Sequence, residues 1–322
     1  MWNGLTIAEV FYEEYGKPML EKQFGAFCDE IAVGLVGQSS ECFGYDDRYS
    51  RDHDFAPGFC LWLPEERKQQ IGEQLQKAYE SLPVDEFIIR HRIDIGMAPG
   101  ESQMTGAREH RVGVHSIEEF YFERTGITGV PVTNEDWLKT PQCYLAEAVN
   151  GKVFADPLGK FSAIRKVWQD FYPEDILKKK VAADCAMAGK TGQFNYERCL
   201  RRGDIQAAYS CCSEFIYKVT AVLFLLNKRY MPYYKWRGRA MQDLKICRDA
   251  VPLIFELTQL PESENLRKMY LMEKISASII EELRNRGWSN GYSDYLLDQA
   301  RLVNKSINDP QLAQMNIFEG ED

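Results

Sequence analysis

Histidine is scarce in this 322-residue sequence: His53, His91, His110 and His115 are the whole complement, and they lack zinc-site spacing. The nine cysteines are scattered, with an adjacent pair at Cys211-Cys212 and no Cys-x-x-Cys. Basic residues are outnumbered, 39 Lys and Arg against 48 Asp and Glu, for a net charge of −9. That balance argues against broad, sequence-independent binding to duplex DNA, which needs a basic face. It leaves room for a local basic pocket. No run approaches the roughly 18 uncharged apolar residues of a membrane span. The opening Met-Trp-Asn-Gly-Leu-Thr has neither the charged nor the apolar region of a secretion signal. With an odd, dispersed cysteine count, these features lead us to expect reduced thiols, no membrane partner and a cytoplasmic protein. No repeat of fixed period is present.

What the chain does have is core-forming material: 45% hydrophobic and 12% aromatic residues. Tyr12, Tyr15, Met19, Leu20, Phe24, Phe27 and Ile31 recur at helical intervals, predicting helix up to about residue 30. Strands are predicted at Ile31–Val36, Phe59–Leu63, Phe87–Ile95 and Arg111–Ile117, with a helix over Glu65–Leu82 and a Gly/Pro/Ser loop over Gly96–Gly106. After Gly126-Ile127 the character changes and helical periodicity dominates. Helices are predicted to start near Asn134 and at Tyr172-Pro173, with a turn over Phe154–Gly159. A long apolar helix over Cys211–Tyr230 is predicted to be central to a bundle, and residues 318–322 to fray. The reading is α+β: a mixed α/β domain over 1–127 and a helical domain over 128–322.

Between Val36 and Phe55 a small-residue turn precedes Ser50-Arg51-Asp52-His53-Asp54. On an extended strand Asp52 and Asp54 face one way and His53 the other. Two carboxylates on one face suit Mg²⁺, which takes carboxylates, waters and substrate phosphates. Gly37, Ser39, Ser40 and Gly44 allow backbone N–H groups to approach a phosphate. A solvated turn is the bland alternative. A third acid usually completes such a two-metal site, and the strand Arg111-Val112-Gly113-Val114-His115 has glycine where it would belong. Asp94, in Ile93-Asp94-Ile95, is the substitute if topology brings it alongside; otherwise it is a strand-end acid in water. His115 is a further candidate base. In the helical half, Leu226 to Arg239 interleaves basic and aromatic residues, and Pro232 leaves Tyr233, Tyr234, Lys235 and Trp236 at a turn. Lysine can bind a triphosphate and a tyrosine face can stack on a base. The same stretch also suits single-stranded nucleic acid or a packing seam.

Together these residues resemble the nucleotidyltransferase-like superfamily, whose signature is Gly-Ser followed by Asp-x-Asp. More narrowly, Ser40-Glu41-Cys42-Phe43-Gly44-Tyr45-Asp46-Asp47 and Ser50-Arg51-Asp52-His53-Asp54 resemble a bacterial domain-of-unknown-function family. Its members pair an N-terminal nucleotidyltransferase-like domain with a helical C-terminal domain. Trp137-Leu138, Val153–Asp156, Asn195–Arg198 and Leu226–Trp236 are similar to that family as well. The resemblance implies that Ser40 contacts phosphate and that Asp52 and Asp54 bind Mg²⁺; Asp94 is the third catalytic acid if topology brings it alongside them. Gly37, Ser39, Tyr234 and Lys235 join the nucleotide site. The implied activity is transfer of a nucleoside monophosphate from an NTP to a hydroxyl of a small molecule or protein. Ser39 replaces the superfamily's glycine and Gly113 its third acid. These departures favour the alternative, a catalytically inactive nucleotide binder of the same fold.

Overall fold

In the computed structural model of the chain, residues 2–47, 49–50, 56–93 and 111–322 are described. The chain forms two compact units: Met1–Pro131 with Tyr144–Asp170, and Val132–Cys143 with Phe171–Asp322. Each is mainly helical, and the first also contains a four-stranded mixed sheet, so the fold is α+β.

The sheet runs in the order β3-β2-β1-β4, with β1 Ala32–Leu35, β2 Cys60–Leu63, β3 Gly113–Ser116 and β4 Lys152–Ala155. β1 is antiparallel to both β2 and β4, while β2 and β3 are parallel with Cys60 opposite Gly113 and Trp62 opposite His115. The two central strands are buried along their whole length, as short continuous apolar runs require. Side chains alternate across the sheet. Leu61 and Leu63 join a core with Ile7, Phe11, Phe59, Leu75 and Phe87. Trp62 is stacked on Phe161 at 4.1 Å and meets Phe120 edge-on at 5.3 Å. The N-terminal periodicity is realised by the helices Gly4–Phe11 and Lys17–Phe24, joined through a wider π turn at Tyr12–Gly16.

Two elements differ from the sequence reading. The strand predicted over Phe87–Ile95 is, where described, the helix Val84–His91. Its short apolar run is ambiguous between periods. Asp85 and Glu86 in the first turn and Arg90 and His91 in the last favour helix through the macrodipole. Phe87 and Ile88 are buried while Ile89 is exposed, a helical rather than alternating pattern. Conversely, β4 falls where helical periodicity and then, from Phe154, a turn were expected. The left-handed Gly151 (φ 63°) ends the preceding helix and turns Val153 and Phe154 onto the edge of β1. Residues 144–170 thereby belong to the sheet unit.

In the second unit the helix Glu174–Ala188 is buried nearly all round and packs against the helices Ile205–Leu226 and Leu296–Lys305. Ile205–Leu226 is long and apolar enough to cross a membrane by length and composition, but most of it is buried within the fold, with Phe215, Val219, Val222 and Phe224 in the core. Thr133 and Asp136 form a capping box that starts Asn134–Leu138. The final residues, predicted to fray, are held. Lys180 Nζ lies 3.2 Å from Asp322 Oδ1 and donates to Gly320 O at 3.1 Å, while Lys179 Nζ donates to Asn316 O at 2.8 Å.

Candidate functional site

The small-residue turn follows β1 directly. Gly37 adopts φ 134°, and a Cβ there would stand 3.0 Å from Arg124 Nη2, so only glycine fits without strain. Its N–H donates to Asn150 Oδ1 at 2.9 Å, and Asn150 Nδ2 donates back to Gly37 O at 2.7 Å. Gly151 N adds a bond to Cys42 O at 2.8 Å. The turn is therefore pinned from the entrance to β4, and the Gly37 N–H is already engaged. Ser39 is the N-cap of the short helix Ser40–Phe43, its Oγ accepting from Cys42 N at 3.4 Å. Gln38 is exposed and Ser39 and Ser40 are half-buried, so this end of the turn faces outward. Behind it, Glu41 and Arg111 form a buried ion pair.

Gly113 has φ 100°, and a Cβ at that position would meet Gln76 Oε1 at 2.7 Å. The Gln76 oxygen accepts from Val114 N at 2.9 Å, and Gln76 Nε2 donates to Glu80 at 2.8 Å. The place expected to hold a third acid is thus closed by a carboxamide from the helix Glu65–Glu80. The glycine belongs to a backbone conformation that a side chain would strain.

Beside the turn lies an open cavity of about 640 Å³, lined by Gln38, His115, Glu119, Arg124, Tyr144 and Glu147 among others. Burial pushes the Glu147 carboxyl up to about 7, against the opposing pull of the Arg124 guanidinium. Arg124 Nη1 donates to Phe120 O at 3.0 Å, and its guanidinium sits 3.9 Å above the Phe120 ring. Its Nε is buried without a hydrogen-bond partner. Lys68 and Glu119 pair at the cavity wall. A carboxyl raised towards neutrality by burial, on a cavity wall beside a guanidinium, is a candidate for proton transfer. Glu147 and Arg124 escaped the sequence reading. A signal existed: Leu145-Ala146-Glu147-Ala148 sets an acid among residues that are themselves buried.

Asp52, Asp54 and Asp94 lie outside the described residues. Among the described residues, no group of three or more His, Cys, Asp or Glu is arranged to hold a metal ion. Tyr234 and Lys235 are exposed in the first turn of the helix Tyr234–Met241, with the Tyr233 and Tyr234 rings 4.3 Å apart. They belong to the second unit, and Gly37, Ser39 and Ser40 to the first.

The first unit is thus a mixed sheet with a pinned small-residue turn and a cavity holding a near-neutral carboxyl. Residues 137–237 match the family described as Domain of unknown function (DUF4037). No curated protein matches the chain. Among solved structures, it is similar to a nucleotidyltransferase-like protein from Exiguobacterium sibiricum 255-15. Identity is 11% and the TM-score 0.36, over 86% of this chain and 79% of that one.

Proposed function

We propose that the protein is a Mg²⁺-dependent nucleotidyltransferase that moves a nucleoside monophosphate from an NTP to a hydroxyl of a small molecule or protein. The observation that carries this reading is the cavity shared by Gln38 of the small-residue turn and the raised carboxyl of Glu147. In the proposed reaction the acceptor oxygen bonds to the α-phosphorus, pyrophosphate leaves, and the acceptor proton passes to the Glu147 carboxylate. Glu147 takes the task left open by Gly113; Asp94 is the other candidate for it. The N–H groups of Gln38, Ser39 and Ser40, rather than that of Gly37, face the phosphates, and Arg124 adds positive charge. Tyr144 offers a ring face to the base. Asp52 and Asp54 supply the carboxylate oxygens that Mg²⁺ takes, and the ion neutralises phosphate charge when bound. None of the nine cysteines is in a disulfide, in keeping with the cytoplasmic setting of this proposal.

The second reading, a nucleotide binder without turnover, is favoured by the Gln76 carboxamide at Gly113. One experiment separates them: each NTP with Mg²⁺ and a cell-extract metabolite pool, scored for pyrophosphate release and, by calorimetry, for NTP affinity. The expected result is release that rises through about pH 7 and falls on the order of 10²–10⁴-fold in Glu147→Gln. Asp52→Asn abolishes it, and Asp94→Asn serves as the comparison. Release unchanged by Asp52→Asn overturns the mechanism, and NTP binding without release establishes the second reading.

A further inference from the structure

The helix Glu174–Ala188 carries three consecutive buried lysines, Lys178, Lys179 and Lys180, an arrangement costly unless each charge is paired. Lys178 donates to Ser306 O at 3.1 Å and pairs with Glu174 at 3.0 Å. Lys179 donates to Asn304 Oδ1 at 3.2 Å and to two backbone carbonyls of the segment beyond it. These two lysines meet mostly neutral carbonyl oxygens or a surface carboxylate. Lys180 differs.

Its ammonium is buried with Lys218 of the helix Ile205–Leu226, Asp184, Gln142 and Tyr172 around a polar chamber that an acidic segment fills. Asp322 Oδ1 sits 3.2 Å from Lys180 Nζ and accepts from Gln142 N at 3.3 Å, and Glu321 lies 3.1 Å from Lys218 Nζ. Lys218 Nζ also bonds Asp322 O, and Asp322 N donates to Asp184 Oδ1 at 3.3 Å. Lys218 pairs with Asp184 at 3.5 Å. The fit is incomplete. Gln142 Nε2 and Tyr172 OH are buried donors with no partner, and Asp184 Oδ2 and Asp322 Oδ2 are equally unmet. Each such group is left without the hydrogen bond that burial takes from water. Two carboxylates, each offering oxygens from one direction, leave donors that a compact tetrahedral oxyanion could reach. With the segment absent, Lys180 loses the carboxylate it pairs with, while Lys218 keeps Asp184 at 3.5 Å and Glu214 at 3.8 Å. The Asp184 carboxyl is pushed up by burial and by Asp322, against the pull of Lys218 and Lys180, so the acidic segment crowds an acid already present.

We propose that this chamber is an oxyanion-binding site for phosphate or a phosphomonoester, for which Glu321 and Asp322 act as a displaceable internal occupant. It lies wholly in the second unit, so it stands or falls apart from the nucleotidyl-transfer reading. The test is phosphate affinity of the full chain, followed by ³¹P line broadening, in the parent and in Glu321→Gln/Asp322→Asn, with and without Lys218→Met. We expect the double variant to bind inorganic phosphate at least about tenfold tighter than the parent, and Lys218→Met to remove that binding. Glycerol 3-phosphate is the second probe: tighter binding than phosphate identifies a phosphomonoester ligand, weaker binding the free ion. Equal phosphate affinity in parent and double variant, or binding that survives Lys218→Met, overturns the proposal. If the double variant does not fold, the parent decides by hydrogen exchange at constant ionic strength. Phosphate in place of chloride must then deprotect residues 315–322; unchanged protection overturns the proposal.

Discussion

Replacing Glu147 by glutamine tests whether its carboxyl is held neutral by the fold. The carboxyl rises from 4.5 to about 7 because burial penalises its charged form more than Arg124 favours it. Between those two values the native unit keeps a proton that the unfolded chain releases, so the parent loses stability as pH rises. Each pH unit of that window is worth about 1.4 kcal/mol. Water in the cavity screens part of it, leaving an ionisation cost of about 2–3 kcal/mol above the folded value. Glu147→Gln keeps the shape and removes the titration. Parent and variant should therefore be equally stable below about pH 4.5, and at about pH 8 the variant should be more stable by that amount. Pulse proteolysis across a urea series, with fragments of the sheet unit assigned by mass spectrometry, measures the difference at each pH. Equal stability at both pH values would mean that Glu147 is ionised like a surface acid, and the proton-transfer role would go with it.

Two further substitutions probe the frame of the same site. Asn150→Ala removes both bonds to Gly37 and should cost about 1–3 kcal/mol in urea unfolding while weakening NTP affinity, since the turn loses its anchor; unchanged affinity would detach the turn from the nucleotide. Gly113→Ala places a Cβ against Gln76 in a left-handed conformation and should destabilise by about 1–3 kcal/mol, with Gln76→Ala in the same chain restoring only the steric part. A neutral Gly113→Ala would show that the position is open to a side chain after all.

How much was legible follows from the range over which each signal acts. β1 and β2 announce themselves as short apolar runs and β3 by the alternating Val112 and Val114, and the capping box at Thr133 and the proline at Tyr172-Pro173 mark helix starts locally. Val84–His91 misled because Phe87-Ile88-Ile89 fits either period, and the charges at its two ends, which decide it, act through the helix as a whole. β4 is four residues long and exists by pairing with β1, a partner more than a hundred residues earlier. Gly37 could be read as a special backbone position, but its partner Asn150 could not, because nothing near position 150 refers to position 37. Lys178, Lys179 and Lys180 carry no local mark of burial in the sequence. Their burial depends on carbonyls contributed by residues 304–320, which no local window contains.

The departure at Gly113 and the chemistry of Glu147 bear on each other. An acid on β3 would be delivered from within the sheet, adjacent to β2. In this chain that route is closed by Gln76, whose oxygen is also bound to the Val114 N–H, so restoring an acid there requires moving both the carboxamide and the strand backbone. A carboxyl entering from the helix Gln142–Val149 needs no such change. It approaches beside the turn that Asn150, one residue beyond that helix, already fixes. The same short stretch therefore anchors the small-residue turn and presents a titratable acid to the cavity next to it. Burial raises the cost of ionising that acid, and in the proposed transfer the same acid is the acceptor of the proton; the cost is the quantity that Glu147→Gln measures.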